Sequence, residues 1–175
     1  SGLVGSEMCI RDRSAALLRI EDFATSVVYR IDRLRDLLGG TASVLDAAIS
    51  RQVWQAVGDV APLPRQASDA VWRVSVRPSA GPAVLAACGL SGFLDWGGGL
   101  VWLAGPADAA THASVEAAAR AAGGTWTLVR GPDSLRGSVH VVPEEPAPLA
   151  RITRRVKEAM DPHGVLNPGR LYAGL

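Results

Sequence analysis

The residues in this chain best able to do chemistry are few and scattered. Its three histidines, His112, His140 and His163, form no H-E-x-x-H and no pair at helical spacing, so no zinc site is read from them. Its two cysteines, Cys9 and Cys88, make neither a C-x-x-C nor a metal spacing and read as isolated thiols of a reducing compartment. A G-x-S-x-G elbow for a serine nucleophile is absent. Glu144-Glu145 lies between prolines and reads as a solvated loop, not an acid/base pair. The cluster Gly97-Gly98-Gly99 lacks the G-x-G-x-x-G spacing and runs into a strand pattern, so it reads as hairpin chemistry and not as a phosphate loop. No catalytic residue is therefore assigned and no metal is expected. The one organised stretch left is Asp161-Pro162-His163-Gly164-Val165-Leu166-Asn167-Pro168-Gly169-Arg170. Proline fixes φ and pushes the residue before it out of the helical region, and glycine tolerates positive φ. This stretch reads as a helix stop followed by a second rigid turn.

Composition narrows the partners. With 175 residues, 48% apolar and 20% charged, the chain is long and apolar enough for one domain with a real core. Lys and Arg number 18 against 17 Asp and Glu, a net charge of +1, which gives no basic field to recruit nucleic acid. No apolar run approaches the roughly 20 residues of a spanning helix, and no signal peptide is seen, so a cytoplasmic protein is expected. Residues 1–13, SGLVGSEMCIRDR, have no clear period and join abruptly onto a strand pattern. They resemble spurious translation at the end of a reading frame. They are expected to be an artefactual or disordered leader, with residues 14–175 forming the domain and the native protein beginning upstream.

The elements that must position any site follow from periodicity. Residues 15–20 read as a strand, apolar on both sides and hence central. Thr25 is a candidate cap for a helix to about residue 38, with Val27, Val28, Ile31, Leu34 and Leu38 on one face, ended by Gly39-Gly40. Residues 43–46 suggest a short strand and 47–57 a helix whose Trp54 is a core or interface anchor. The clearest strand is 70–77, where Trp72, Val74 and Val76 alternate with Arg73, Ser75 and Arg77. A short helix to Cys88 carries Pro82 in its first turn. Two apolar runs around the glycine cluster form a hairpin. An Ala-rich helix spans 108–122 with Gly123-Gly124 as its stop. A strand over 125–129, a polar loop over 130–136 and a short strand at 139–142 come next. Trp96, Trp102 and Trp126 read as core. The final helix has the apolar stripe Leu149, Ile152, Val156 and Met160, and Arg151, Arg154, Arg155 and Lys157 make the rest basic. Strands, a hairpin and helices in this order predict an α+β domain, with an antiparallel or mixed sheet covered by helices on one face.

The tail D-P-x-G-x-L-N-P-G-R, placed after a basic amphipathic helix, resembles the C-terminal signature of FAD-linked oxidases of the vanillyl-alcohol oxidase type. In FAD-linked 2-hydroxyacid oxidases three motifs occur in order: a hairpin H-x-G-D-G-N-x-H, a G-G-T strand leading into E-H-G, and D-P-x-x-x-x-N-P-G. This chain keeps that order with altered letters. Its hairpin is Asp95-Trp96-Gly97-Gly98-Gly99-Leu100-Val101-Trp102, its G-G-T is Gly123-Gly124-Thr125 followed by Val129-Arg130-Gly131, and the tail is complete. The D-W-G-G hairpin, the W-R-V-S-V strand and the ending N-P-G-R-L-Y-A-G-L look most like the FAD-binding subunits of bacterial glycolate oxidases.

That resemblance implies the C-terminal cap domain of an FAD-linked oxidase, with FAD held mainly by an N-terminal domain outside this chain. Such a subunit takes part in oxidising glycolate to glyoxylate. Its implied partners are a catalytic flavin subunit and an iron–sulfur subunit, with any membrane association coming through them. Asn167 and Arg170 are the residues placed near flavin, their plainer role being to form the turn and anchor the tail. Trp and Gly replace the hairpin histidines, and Arg130 stands where the E-H-G histidine would be. Arginine is no base near neutral pH but binds carboxylates well, so Arg130 joins the cofactor-side candidates. An electron-relay or structural role is expected in place of proton abstraction by histidine. The alternative is a non-catalytic α+β interaction module docking through helix faces near Trp54 and Ile152.

Overall fold

The computed structural model describes residues 4–10, 13–39, 42–63, 65–169 and 172. Six strands, β1 (Val4–Ile10), β2 (Arg13–Arg19), β3 (Ala70–Ser75), β4 (Ser91–Asp95), β5 (Leu100–Gly105) and β6 (Thr125–Arg130), form one sheet in the order β2-β1-β4-β5-β3-β6. All of their pairings are antiparallel. The helices are α1 (Ala24–Leu37), α2 (Ala47–Gly58), α3 (Gly81–Cys88), α4 (Ala109–Ala121), a single turn α5 (Asp133–Arg136) and α6 (Ala147–Met160). The α+β class and antiparallel sheet expected from the sequence are borne out.

Alternation along β3 decides where the core lies. Ala70, Trp72 and Val74 face one way, with Leu94, Val101, Leu103, Trp126 and Leu128 on neighbouring strands. Val84 of α3, Val115 and Ala119 of α4 and Leu135 of α5 cover them. Trp72 is 0% exposed. An indole buries about 150–250 Å², worth at most about 4–6 kcal/mol at roughly 25 cal/mol per Å². The opposite face carries a smaller cluster, in which Val71, Phe93 and Ala104 meet Val57 at the end of α2 and Leu63 beyond it. Helices α3 to α5 thus share one face as expected, and the end of α2 closes a corner of the other.

Close backbone approaches at Gly81 and Gly124 need glycine. A Cβ on Gly81 would lie 2.0 Å from the Gly98 carbonyl oxygen, so the β4–β5 hairpin tip is pressed against the turn that starts α3. A Cβ on Gly124 would lie 2.4 Å from the Ser75 carbonyl oxygen, so the G-G-T stretch lets β6 begin flush against β3.

Several local expectations are corrected. Within residues 1–13, described residues 4–10 form β1, whose backbone pairs with β2 and β4; strand pairing satisfies main-chain groups without any hydrophobic period. Strand β2 lies at the sheet edge, not its centre, and Leu18 is 45% exposed. Thr25 does not cap α1; Asp22 accepts from Phe23 N–H and Ser26 Oγ, each at 2.8 Å. Residues 43–46 are no strand, because Asp46 caps α2 through Ala48 N–H and Ile49 N–H. Residues 139–142 are no strand either; Leu128 N–H donates to the Val141 carbonyl at 2.7 Å. The polar loop over 130–136 contains α5, fixed by buried Leu135. Asp108 caps α4 by accepting from Thr111 N–H at 2.7 Å, as a helix beginning there requires.

Candidate functional site

Beyond the corner closed by α2, the second face of the sheet is open around Arg73 and Thr125, while Leu100 between them and the hairpin tip is buried. Register aligns Arg73 of β3 with Trp102 of β5 on one side and Thr127 of β6 on the other. The next row places Ser75 between Leu100 and Thr125. Arg73 and Thr125 are exposed, and Trp102, Ser75 and Thr127 are half-buried. These rows bring one guanidinium, three hydroxyls and an indole alongside each other, with buried Leu100 and the Asp95 carboxylate completing the second row.

The hairpin tip adds a second indole. Asp95 accepts from Trp96 N–H at 2.7 Å, and Gly97 and Gly98 follow at φ 64° and 94°. With Gly98 pressed against residues 78–81, the tip cannot relax, and Trp96 itself is held at φ 53°. A bulky residue in the left-handed region carries roughly 1–2 kcal/mol of strain. Trp96 is nevertheless 58% exposed, so no core contact repays that strain. The Arg73 guanidinium carbon lies 5.7 Å from the Trp96 ring centroid, a cation–π distance. Strained residues of this kind cluster where a surface meets a ligand. The expectation that Trp96 is core is corrected. Trp126 is core and Trp102 half-buried. The available signal was D-W-G-G itself, a bulky residue flanked by a turn-forming aspartate and glycines.

The residues singled out from the sequence are placed differently. Arg130, at the end of β6, is exposed, and its Nη2 donates to the Ala67 carbonyl at 3.0 Å. One edge of its fork therefore holds the loop before β3. Asn167 is exposed at φ 46° and forms its turn. Arg170 lies outside the described residues. No hydrogen bond or ion pair among the described residues joins Arg130 to Asn167.

The tail is organised by Asp161. Its buried carboxylate accepts from Val165 N–H at 3.0 Å, Leu166 N–H at 2.8 Å and Lys157 Nζ at 2.5 Å. Lys157 also donates to the Leu166 carbonyl at 2.6 Å. The Lys157 hydrogen bond first, and these backbone bonds after it, hold the carboxyl down at about 2. The conspicuous aspartate of the tail is thus a clasp.

The histidines are dispersed. His112 is buried in α4, and its Nδ1 accepts from Trp72 Nε1–H at 3.1 Å, so the neutral ring carries its proton on Nε2. Burial lowers its pKa, opposed by Glu116 and the His140 backbone. His140 pairs with Glu144 at 3.3 Å on the surface, and His163 is exposed in the tail. No group of three or more His, Cys, Asp or Glu among the described residues is placed to hold a metal ion. An open cleft at the end of α1, lined by Asp32, Arg35, Asp36 and Gly39, is separate from the sheet surface and carries no comparable arrangement. No helix among the described residues is long and apolar enough to cross a membrane.

The likeness to known proteins can be set beside this geometry. The chain is 32% identical over 172 residues, 97% of its length, to glycolate oxidase subunit GlcE of Escherichia coli (strain K12). GlcE is thus what this chain is similar to along nearly its whole length. The resemblance to a glycolate oxidase subunit is borne out. The chain spans 42% of the length of GlcE. No family model matches it, and no solved structure does.

Proposed function

We propose that residues 14–175, with β1 completing their sheet, form the cap domain of an FAD-binding subunit of a glycolate-oxidising complex. The observation that carries this reading is the likeness to GlcE over 97% of the chain. The flavin pyrophosphate is gripped by sequence outside these residues, which contain no glycine-rich phosphate loop ahead of a helix. This chain contributes the open sheet surface of Arg73, Trp96, Trp102 and Thr127. Its indoles and the Arg73 guanidinium suit a planar, electron-poor ring, and Asn167 and Arg170 lie on the tail that ties the cap to the flavin domain. When bound, FAD would take up and pass on electrons released elsewhere in the complex as a 2-hydroxy acid becomes a 2-oxo acid.

The role within the complex is electron relay or support of a separate catalytic flavin subunit, with an iron–sulfur subunit carrying electrons onward. What supports this is the absence of a histidine base from the open surface among the described residues. Trp96 and Trp102 occupy the hairpin, and Arg130 is tied to the Ala67 carbonyl. The complex is cytoplasmic, reaching the inner membrane only through its partners.

The test is the native-length subunit, purified alone and with its partners. The visible absorption of oxidised flavin is expected in both preparations, with bleaching by glycolate only when the partners are present. A colourless subunit overturns the flavin reading, and bleaching of the isolated subunit overturns the relay reading. One observation favours a second reading, a non-catalytic interaction module: α6 buries none of its residues. A colourless native-length protein that still assembles through the Ile152 face would establish it.

A further inference from the structure

Arg73 differs from the other arginines near the open surface. Arg130 spends part of its fork on Ala67, and Arg120 on the far side of the sheet is held by Glu116 at 2.7 Å while lying 4.9 Å from the Trp126 ring. Arg73 is exposed on β3, a central strand, and its described contact is with the face of Trp96. Stacking uses the plane of a guanidinium and leaves its in-plane N–H groups to point outward. The hydroxyls of Thr127 and Ser75 flank it on the same face by register. Strain at Trp96 keeps the indole under the guanidinium, so the fork is oriented before any ligand arrives.

We infer that Arg73, braced by Trp96, is the carboxylate-recognition residue of a small-acid site on the open sheet surface. It holds a 2-hydroxy or 2-oxo acid as an anion and does not turn it over. A lone planar fork with neighbouring hydroxyls matches one small carboxylate. A polyphosphate or nucleic acid would call for several cations. No bond is made or broken; the Asp95 carboxylate, beside Trp96 on the same face, accepts from the Trp96 N–H at 2.7 Å. Arg73 thus takes the place the sequence assigned to Arg130. The choice of acid rests on the proposed kinship with glycolate oxidation; the site itself rests on Arg73 and Trp96.

The experiment is calorimetric titration of the native-length subunit with glycolate, glyoxylate and inorganic phosphate, with visible absorption recorded on each sample. Saturable binding of glycolate or glyoxylate, with phosphate much weaker, is expected. Arg73→Gln should weaken it about ten- to a hundredfold, the span of a lost charge-assisted pair. Arg73→Lys should recover only part, because the charge stays and the fork is lost. Trp96→Phe should keep binding while reducing the ligand-induced change in indole fluorescence, with Trp102 supplying what remains. Arg73→Gln binding like wild type, phosphate binding as tightly as glycolate, or no saturable binding each overturns the inference. A yellow protein that binds no acid removes this site and leaves the flavin reading standing. A colourless protein with Arg73-dependent binding does the reverse.

Discussion

Trp96 is a residue whose backbone and side chain have opposite preferences. Its φ of 53° suits glycine or asparagine, and its exposed indole gains nothing from the core. Trp96→Gly should therefore leave the thermal midpoint of the native-length subunit unchanged or raise it, while weakening small-acid binding. A fall of several degrees would mean that the indole is structural after all. His112 poses a different residue-scale question. Its folded pKa lies below the ordinary 6.5, chiefly through burial, so the unfolded chain binds the proton more readily. Stability is then full above about pH 6.5 and falls as the pH drops below it toward the folded value. Protonating Nδ1 would also set two donors against each other at the Trp72 hydrogen bond. Glu116 and the His140 backbone moderate the effect, while the charge of His140 adds to it. Thermal melts between pH 7 and 5 should show a declining midpoint. His112→Gln, which can still accept from Trp72, should flatten the decline.

At the scale of elements, two pieces of the expected signature turn out to be backbone devices. G-G-T serves the junction of α4 with β6. Gly123 ends the helix at φ 65°, and Gly124 lies where a side chain would strike Ser75. Gly124→Ala should destabilise by about 1–3 kcal/mol, the usual range for forced overpacking, read from denaturant midpoints. The tail depends on the Asp161 clasp. A carboxyl held at about 2 in the folded state keeps its contribution above the ordinary carboxylate range and loses it as the pH falls through about 2. Asp161→Ala should speed amide exchange at Val165 and Leu166 at neutral pH while leaving the strands unaffected. Equal protection in the variant would show that the turn holds without its clasp.

The whole molecule has two amphipathic helices with apolar faces left in water. On α6, Leu149, Ile152, Val156 and Met160 are all exposed, Ile152 by 58%. On α1, Val28, Tyr29 and Leu37 are exposed as well. A patch of this kind on a chain spanning 42% of its relative is a surface in need of cover. The 175-residue chain should bind a hydrophobic dye strongly and the native-length protein weakly. Ile152→Gln should reduce dye binding and self-association of the short chain. Weak dye binding by the short chain would show that these faces find each other in solution.

How far the sequence could be read depended on whether a feature was local. Periodicity placed α2, α4, β3, β5, β6 and α6 because each carries its own repeat, and Asp108 and Gly123 mark the two ends of α4. The α+β class followed from the order of these elements. Strand β1 escaped because pairing, not a side-chain pattern, makes it a strand, and β2 was taken as central because apolar residues on both sides do not reveal whether both sides are covered. The tail motif identified kinship, since D-P-x-G-x-L-N-P-G is contiguous and each letter serves a turn. The candidate site was less legible. Arg73, Trp96 and Thr127 come from three separate stretches, and only cross-strand register and a locked hairpin tip set them side by side. Arg130 carries the same charge as Arg73, and only the tertiary structure shows that its fork is partly engaged by Ala67. The sequence by itself determined the elements and the kinship, because local repeats and contiguous turns encode both; the tertiary structure decided which arginine is free and which tryptophan is exposed, because those depend on what the rest of the chain brings alongside.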